Sequence, residues 1–316
     1  MAWKWKEGSA ILLPPSLHSH NLELTAGYNI NHPVKVPQMS PYDSYRTLGA
    51  YISPSRGMGK AYEVLRGYSM DYATKIQDSS LNKEAALWSY LSYFLPKVTF
   101  PLPAMTLTAT QCYRMQSPAL QALLPKIHLN RYTARKIIHG PLIYGGMNIS
   151  HLYTTQSLLQ LKFLLGHLQA QDKTSKLLLI AHGTHQVLIE KSANFFSLPY
   201  KSNQYFNCCT WLCLVWQFMD SINAKIDIMQ AWLPPRPRKG DCNLMDYFTS
   251  QGLSTKVLMC INRCRVYLRV LLLSDMVSAD GRRLIPTILT GQRLVNRRST
   301  LEWPDQGNPS KADWEV

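Results

Sequence analysis

The sequence predicts a mainly α fold, with a short β segment near the N-terminus and some β near the C-terminus. Three observations lead there. Apolar residues recur at positions 58, 61, 62, 65, 68, 72 and 76, the three-to-four spacing of an amphipathic helix. Long helical patterns return over residues 151–171 and 174–192, whereas apolar alternation is confined to YRTLGAYIS at 45–53. With 316 residues and 46% apolar content the chain can fill a substantial core. The pattern divides into an irregular segment with one strand at 1–56, a helical region at 57–130, a helical connector at 131–233 and a basic C-terminal region at 234–316.

Each element has a local reason. Pro14, Pro15, Pro33, Pro37 and Pro41 keep residues 1–45 irregular, and Pro54, Gly57 and Gly59 stop the strand at 45–53. The first helix ends at Asp78, Ser79 and Ser80. Asn82 caps the next, whose LWSYLSYFL stretch is apolar on every side and so predicted buried, until Pro96, Pro101 and Pro103 turn the chain into an extended piece. Thr108 or Thr110 starts a third helix, and Pro118 suits the first turn of a fourth that runs to Leu124. Ser150 is a cap for the helix at 151–171, after a turn at Gly145 and Gly146. Residues 208–230 read as one apolar helix, PPRPRKGD at 234–241 as a linker, 255–277 as a further apolar element, and SADGRRL as a turn.

The chain carries 34 Lys and Arg against 19 Asp and Glu, a net +15, which favours a polyanionic partner over an acidic one. The excess sits in two segments, +8 over 46–140 (12 basic, 4 acidic) and +8 over 231–298 (12 basic, 4 acidic), so any basic face is built from these. Seven irregularly spaced cysteines imply no disulfide framework, and MAWKWKEGSAILLPP is too short an apolar run for a signal peptide. The expectation is an intracellular protein with reduced thiols. The apolar run CCTWLCLVWQFM falls short of the roughly 20 residues that span a bilayer, so no membrane partner is expected.

Chemistry-bearing motifs are sparse. The stretch SPSRGMGKAY has Pro54 where a phosphate loop needs Gly and Ala61 where it needs Ser or Thr. No two acids are adjacent. Asp275 and Asp280 are the nearest approach to a metal-holding pair, although Asp280 before Gly281 reads as a turn residue. His182 and His185 lack the spacing and Glu of a zinc helix, and the cysteines read as small core hydrophobes. No nucleophile motif frames a Ser or Cys, and neither a catalytic nor a metal-binding residue is assigned. Two basic stretches with aromatic neighbours, NRYTARKIIHG and INRCRVYLRV, offer phosphate contacts through Arg131, Arg135 and Lys136 and through Arg263, Arg265 and Arg269. The same charges also read as a solvated face.

Taken together, YRTLGAYISPSRGM, LWSYLSYFLPKVTFPLPAM, GPLIYGGMNISHLYTTQSLLQLKFLLGHL, CRVYLRVLLLSDMVSADGR and LEWPDQGNP resemble the downstream half of a retroelement reverse transcriptase of the non-LTR kind. The resemblance spans roughly residues 40–310 and rests on order. A strand with Leu48 and Gly49, then helices from 58 to 95, then Gly145 and Gly146 opening further helices, follow the order of palm edge, thumb and downstream helices. It implies a helical, thumb-like bundle after a palm-edge strand, with Arg46, Arg56 and Lys60 near the primer end. It implies an RNA or RNA/DNA duplex as partner, and a separate upstream polymerase half as another. Such polymerases use magnesium at an aromatic-x-Asp-Asp sequence, which this chain lacks; that part would lie upstream of residue 1. The expected role is therefore duplex binding without RNA-directed DNA polymerase activity and without a cofactor in this chain. The rival reading is a helical interaction or scaffold protein whose charge serves solubility.

Overall fold

A computed structural model describes residues 23–24, 34–35, 40, 42–47, 49–53, 55, 57–205, 210–229, 231–234, 239–278, 280–292, 303–304 and 307–316. The fold is mainly α. The chain forms two compact units, residues 1–156 and 157–316, and the division falls within helix α6 (Leu152–Ala170).

In the first unit, β1 (Glu23–Leu24) pairs antiparallel with β2 (Val34–Lys35). The alternating stretch at 45–53 is a hairpin and not one strand: β3 (Tyr45–Thr47) pairs antiparallel with β4 (Ala50–Ile52). The reversal is made at Gly49, whose φ of +91° is open to glycine, and a Cβ there would stand 3.2 Å from the Phe100 ring. Helix α1 (Gly59–Asp78) buries Ala61, Leu65, Tyr72, Ala73 and Ile76 against α4 (Ala109–Lys126), which turns Cys112, Met115, Ala119, Leu120 and Leu123 inward. Each fully buried large apolar side chain of this kind contributes about 1.5–3 kcal/mol.

Between them, Asn82 caps α2 (Lys83–Ser89) through its side chain on the Ala85 amide. The helical path does not become extended at the prolines: Tyr90–Phe94 widens into a π turn and α3 (Leu95–Thr99) follows, with Pro96 in its first turn. In a regular helix the Pro96 ring would meet the carbonyl four residues back, and the wide turn stands directly before it. This segment is not buried all round. Tyr90, Phe94 and Leu95 are buried while Trp88 and Tyr93 are exposed, with Lys97 Nζ 3.9 Å from the Tyr68 ring centroid.

Helix α4 also corrects the expectation of two helices divided at Pro118. Thr108 starts it with a reciprocal capping box to Gln111, and it continues through Pro118 and Pro125. An interior proline costs about 3 kcal/mol, which the continuous buried face on either side of Pro118 offsets. From the same helix the buried Gln116 donates to the Tyr90 hydroxyl (2.9 Å) and the Ser150 carbonyl (2.7 Å) and accepts from the Leu152 amide (3.3 Å). One side chain thus fixes the π turn and the start of α6 to α4.

In the second unit, α7 (Lys173–Ile189) is capped by Asp172, and α8 (Trp211–Ser221) places Leu212, Val215, Trp216 and Met219 in the core with Phe195, Phe196 and Tyr205. The helix expected over 208–230 is shorter, because the chain turns at Ile222 and Asn223, the latter at φ +53°. Residues 208–209, like most of 1–45 and much of the 234–241 linker, lie outside the described residues. Helix α9 (Leu244–Ser250) precedes α10 (Thr255–Leu268), which stops at Arg269 in the left-handed region (φ +61°) instead of running on to 277. β structure beyond α9 is limited, among the described residues, to the isolated bridges Asn243–Leu272 and Val277–Leu284.

Buried polar groups hold this unit together. Glu190, in the left-handed region at the end of α7, accepts from Asn243 Nδ2 (3.0 Å) and the Met245 amide (2.5 Å), so it satisfies one buried first-turn amide of α9. The neighbouring Lys191 donates to the Met245 carbonyl (3.0 Å) and to the Thr249 hydroxyl, and pairs with Asp246 (3.2 Å). His182 and His185 are core residues, bonded to Asn194 (3.1 Å) and to Thr210 (2.5 Å).

Candidate nucleic-acid interface

The cations at 131–136 stand on a short substructure of the first unit that closes on itself. Asn130 opens it as an Asx turn: its Oδ1 accepts from the Tyr132 amide (2.9 Å), and its carbonyl accepts from the Thr133 amide (2.9 Å) and hydroxyl (2.6 Å). The five-residue α5 (Arg135–His139) follows, anchored by Ile138, which is completely buried. The chain then folds back onto α5: the amides of Met147, Asn148 and Ile149 donate to the carbonyls of Ile137 (2.9 Å), Gly140 (2.8 Å) and Ile138 (3.0 Å).

The return requires Gly140 and Gly146 to touch. A Cβ on Gly146 would stand 2.1 Å from the Gly140 carbonyl oxygen, and one on Gly140 would stand 2.6 Å from the Lys136 carbonyl oxygen. Both obstacles are backbone. Gly146→Ala is therefore expected to force the loop open at a cost of about 1–3 kcal/mol, seen as a lower melting temperature of the first unit and faster exchange of the Asn148 amide. A variant melting like the parent would contradict the closure.

On this frame Arg131 and Lys136 are exposed, and neither is in an ion pair among the described residues. Arg135 is half-buried, and its Nη1 is enclosed without a hydrogen-bond partner. His139 donates from Nδ1 to the Ile149 carbonyl (2.7 Å), with the His151 ring 5.0 Å away. Burial holds the pKa of both rings below the ordinary value, and Arg135 lowers that of His139 further. Neither imidazole adds positive charge near neutral pH. The formal charge of the strip comes from Arg131, Arg135 and Lys136.

Of the residues assigned to the primer end, Arg46 is exposed on β3 and Lys60 is exposed in the first turn of α1; Arg56 lies outside the described residues. The C-terminal set corrects the sequence expectation. Arg263 Nη1 bonds both carboxylate oxygens of Asp313 (2.7 Å each), and this pairing holds the Asp313 carboxyl well below the usual carboxylate range. Arg265 is 3% exposed and its guanidinium is consumed by Asn262 and by the carbonyls of Val187, Leu188 and Val270. Arg269 is half-buried at the end of α10. One of the three is neutralised and one is inside the core, so they do not build a phosphate-binding face.

The acids considered for metal chemistry are also committed. Asp275 Oδ2 accepts from the Leu271 and Leu272 amides (3.0 Å each), and Asp280 Oδ1 accepts from the Ser278 hydroxyl and the Arg282 amide (3.2 Å), a turn-residue role. Among the described residues no group of three or more His, Cys, Asp and Glu side chains could hold a metal ion, and no helix is long and apolar enough to cross a membrane.

What sequence reading missed is the tip of the closed loop. Leu142, Ile143 and Tyr144 are 69%, 83% and 82% exposed, and Tyr132 at the other end of α5 is 83% exposed. The signal was present in the framing of LIY by Gly140-Pro141 and Gly145-Gly146, which holds the three side chains away from any core. No protein-family model, curated protein or solved structure matches this chain.

Proposed function

We propose that this chain is the thumb and downstream helical part of a retroelement reverse transcriptase, which holds an RNA or RNA/DNA duplex by its phosphates and performs no polymerisation itself. The observation that carries the duplex-binding reading is the strip Arg131, Arg135, Lys136: three cations on one backbone-closed segment, with no carboxylate paired to any of them among the described residues. Cations so placed position a duplex without reading its sequence. The order of sequence motifs supports the family reading, and the lack of an Asp-Asp sequence is the reason no polymerisation is assigned to this chain. An upstream polymerase half would supply the catalytic metal.

The test is a salt titration of binding to a DNA duplex and an RNA/DNA hybrid. Each phosphate contact on duplex DNA contributes about −0.9 to the slope of log affinity against log salt, so the three cations predict a slope of about −2.7 or steeper. No duplex binding, or binding indifferent to salt, would contradict the reading and favour a helical interaction protein.

A further inference from the structure

We propose that Tyr132 and Tyr144 are stacking platforms for unpaired bases, so that this strip takes a duplex with a single-stranded extension in preference to a blunt one. The inference rests on the nucleic-acid reading above and deepens it. Both rings are more than four-fifths exposed, and neither has a ring or cation partner among the described residues. Their backbones are nevertheless fixed, because the Tyr132 amide is bonded to Asn130 Oδ1 (2.9 Å) and the Tyr144 amide to the Pro141 carbonyl (3.1 Å). An open aromatic face on a fixed backbone costs little further ordering when a base stacks on it.

The surroundings select the occupant. Arg131 adjoins Tyr132 in the chain, and α5, carrying Arg135 and Lys136, lies between the two tyrosines in sequence. Aromatic rings interleaved with cations match a sugar-phosphate strand whose bases are free to stack. A blunt duplex presents the same phosphates but hides its bases within its own stack. The aliphatic pair Leu142 and Ile143 beside Tyr144 could instead dip into an anionic lipid surface, which the test separates.

The full chain is titrated with three ligands of equal duplex length: blunt, with a short unpaired extension, and with the same extension made abasic. The abasic ligand carries the added phosphates without the bases. The base-bearing extension should bind about tenfold more tightly per stacked base than the abasic one. Tyr132→Ala with Tyr144→Ala should remove that difference, and Tyr132→Phe with Tyr144→Phe should retain it, circular dichroism showing both variants folded. Equal affinity for base-bearing and abasic extensions would overturn the inference while leaving the duplex reading intact. So would a preference that survives in the folded alanine variant, or phosphatidylserine vesicles binding the parent in a tyrosine-dependent way when the nucleic acids show no such dependence. Failure to bind all three nucleic acids would overturn both readings.

Discussion

Arg265→Ala is expected to unfold the second unit at temperatures where the parent is intact. The guanidinium donates from Nη2 to the carbonyls of Val187 (2.6 Å) and Leu188 (3.2 Å), from Nη1 to that of Val270 (3.0 Å), and to Asn262 Oδ1 from both Nε and Nη2. Val187 and Leu188 lie in the last turn of α7, whose carbonyls have no partner within the helix. Removing the fork leaves buried acceptors unpaired and also strips Glu190 of a nearby opposite charge. Breaking such a buried charged network costs about 3–5 kcal/mol, against a total stability of about 5–15 kcal/mol for a domain. For a unit of this size that is a fall of about 6–20 °C in Tm. Arg265→Lys should recover only part of it, since one ammonium cannot reproduce the planar fork. Thermal unfolding followed by circular dichroism reads both, and an alanine variant melting within a degree or two of the parent would contradict the role.

The second large effect is a pH dependence carried by Glu190. Burial pushes this carboxyl up to about 7 from its ordinary 4.5, against the opposing influence of Arg265, the Met245 amide and Asn243. Between pH 4.5 and 7 the folded state holds the proton more tightly than the unfolded state, so stability falls as pH rises through that window. The full cost, about 3 kcal/mol, is present above the folded value. His182 acts in the opposite sense: burial lowers it to about 4, so its contribution improves from pH 4 to 6.5. The two must be separated by comparison with Glu190→Gln, which retains His182. Denaturant unfolding should show the parent losing up to about 3 kcal/mol relative to the glutamine variant between pH 4.5 and 8. Parallel curves would show that Glu190 has no elevated pKa in the fold.

Neither effect was legible in the sequence, and the reason is distance along the chain. Arg265 finds its acceptors 77 and 78 residues upstream, and Arg263 finds Asp313 50 residues downstream. A basic stretch reports charge but not the partner that absorbs it. The caps at Asn82 and Thr108 were readable because each bonds an amide three residues away. Gly49 sits inside the alternating stretch read as one strand, and only pairing across it distinguishes a hairpin from one strand. Pro118 read as a helix start because a proline's local preference says nothing of the face that Met115, Ala119 and Leu120 bury around it. At the candidate interface, the charges of Arg131, Arg135 and Lys136 were readable. The closure by Gly140 and Gly146 and the exposure of Tyr132 and Tyr144 depend on backbone contacts that no periodicity encodes.

The duplex-binding strip is tested most directly by the salt slope of Arg131→Ala with Lys136→Ala, the two exposed cations of the segment, neither of which supports the core. On a DNA duplex the folded double variant should bind more weakly than the parent at every salt concentration, with a slope about 1.8 smaller in magnitude, corresponding to two lost phosphate contacts. A folded variant that keeps the parent's affinity and slope would contradict the account and leave Arg131 and Lys136 as ordinary solvated charges.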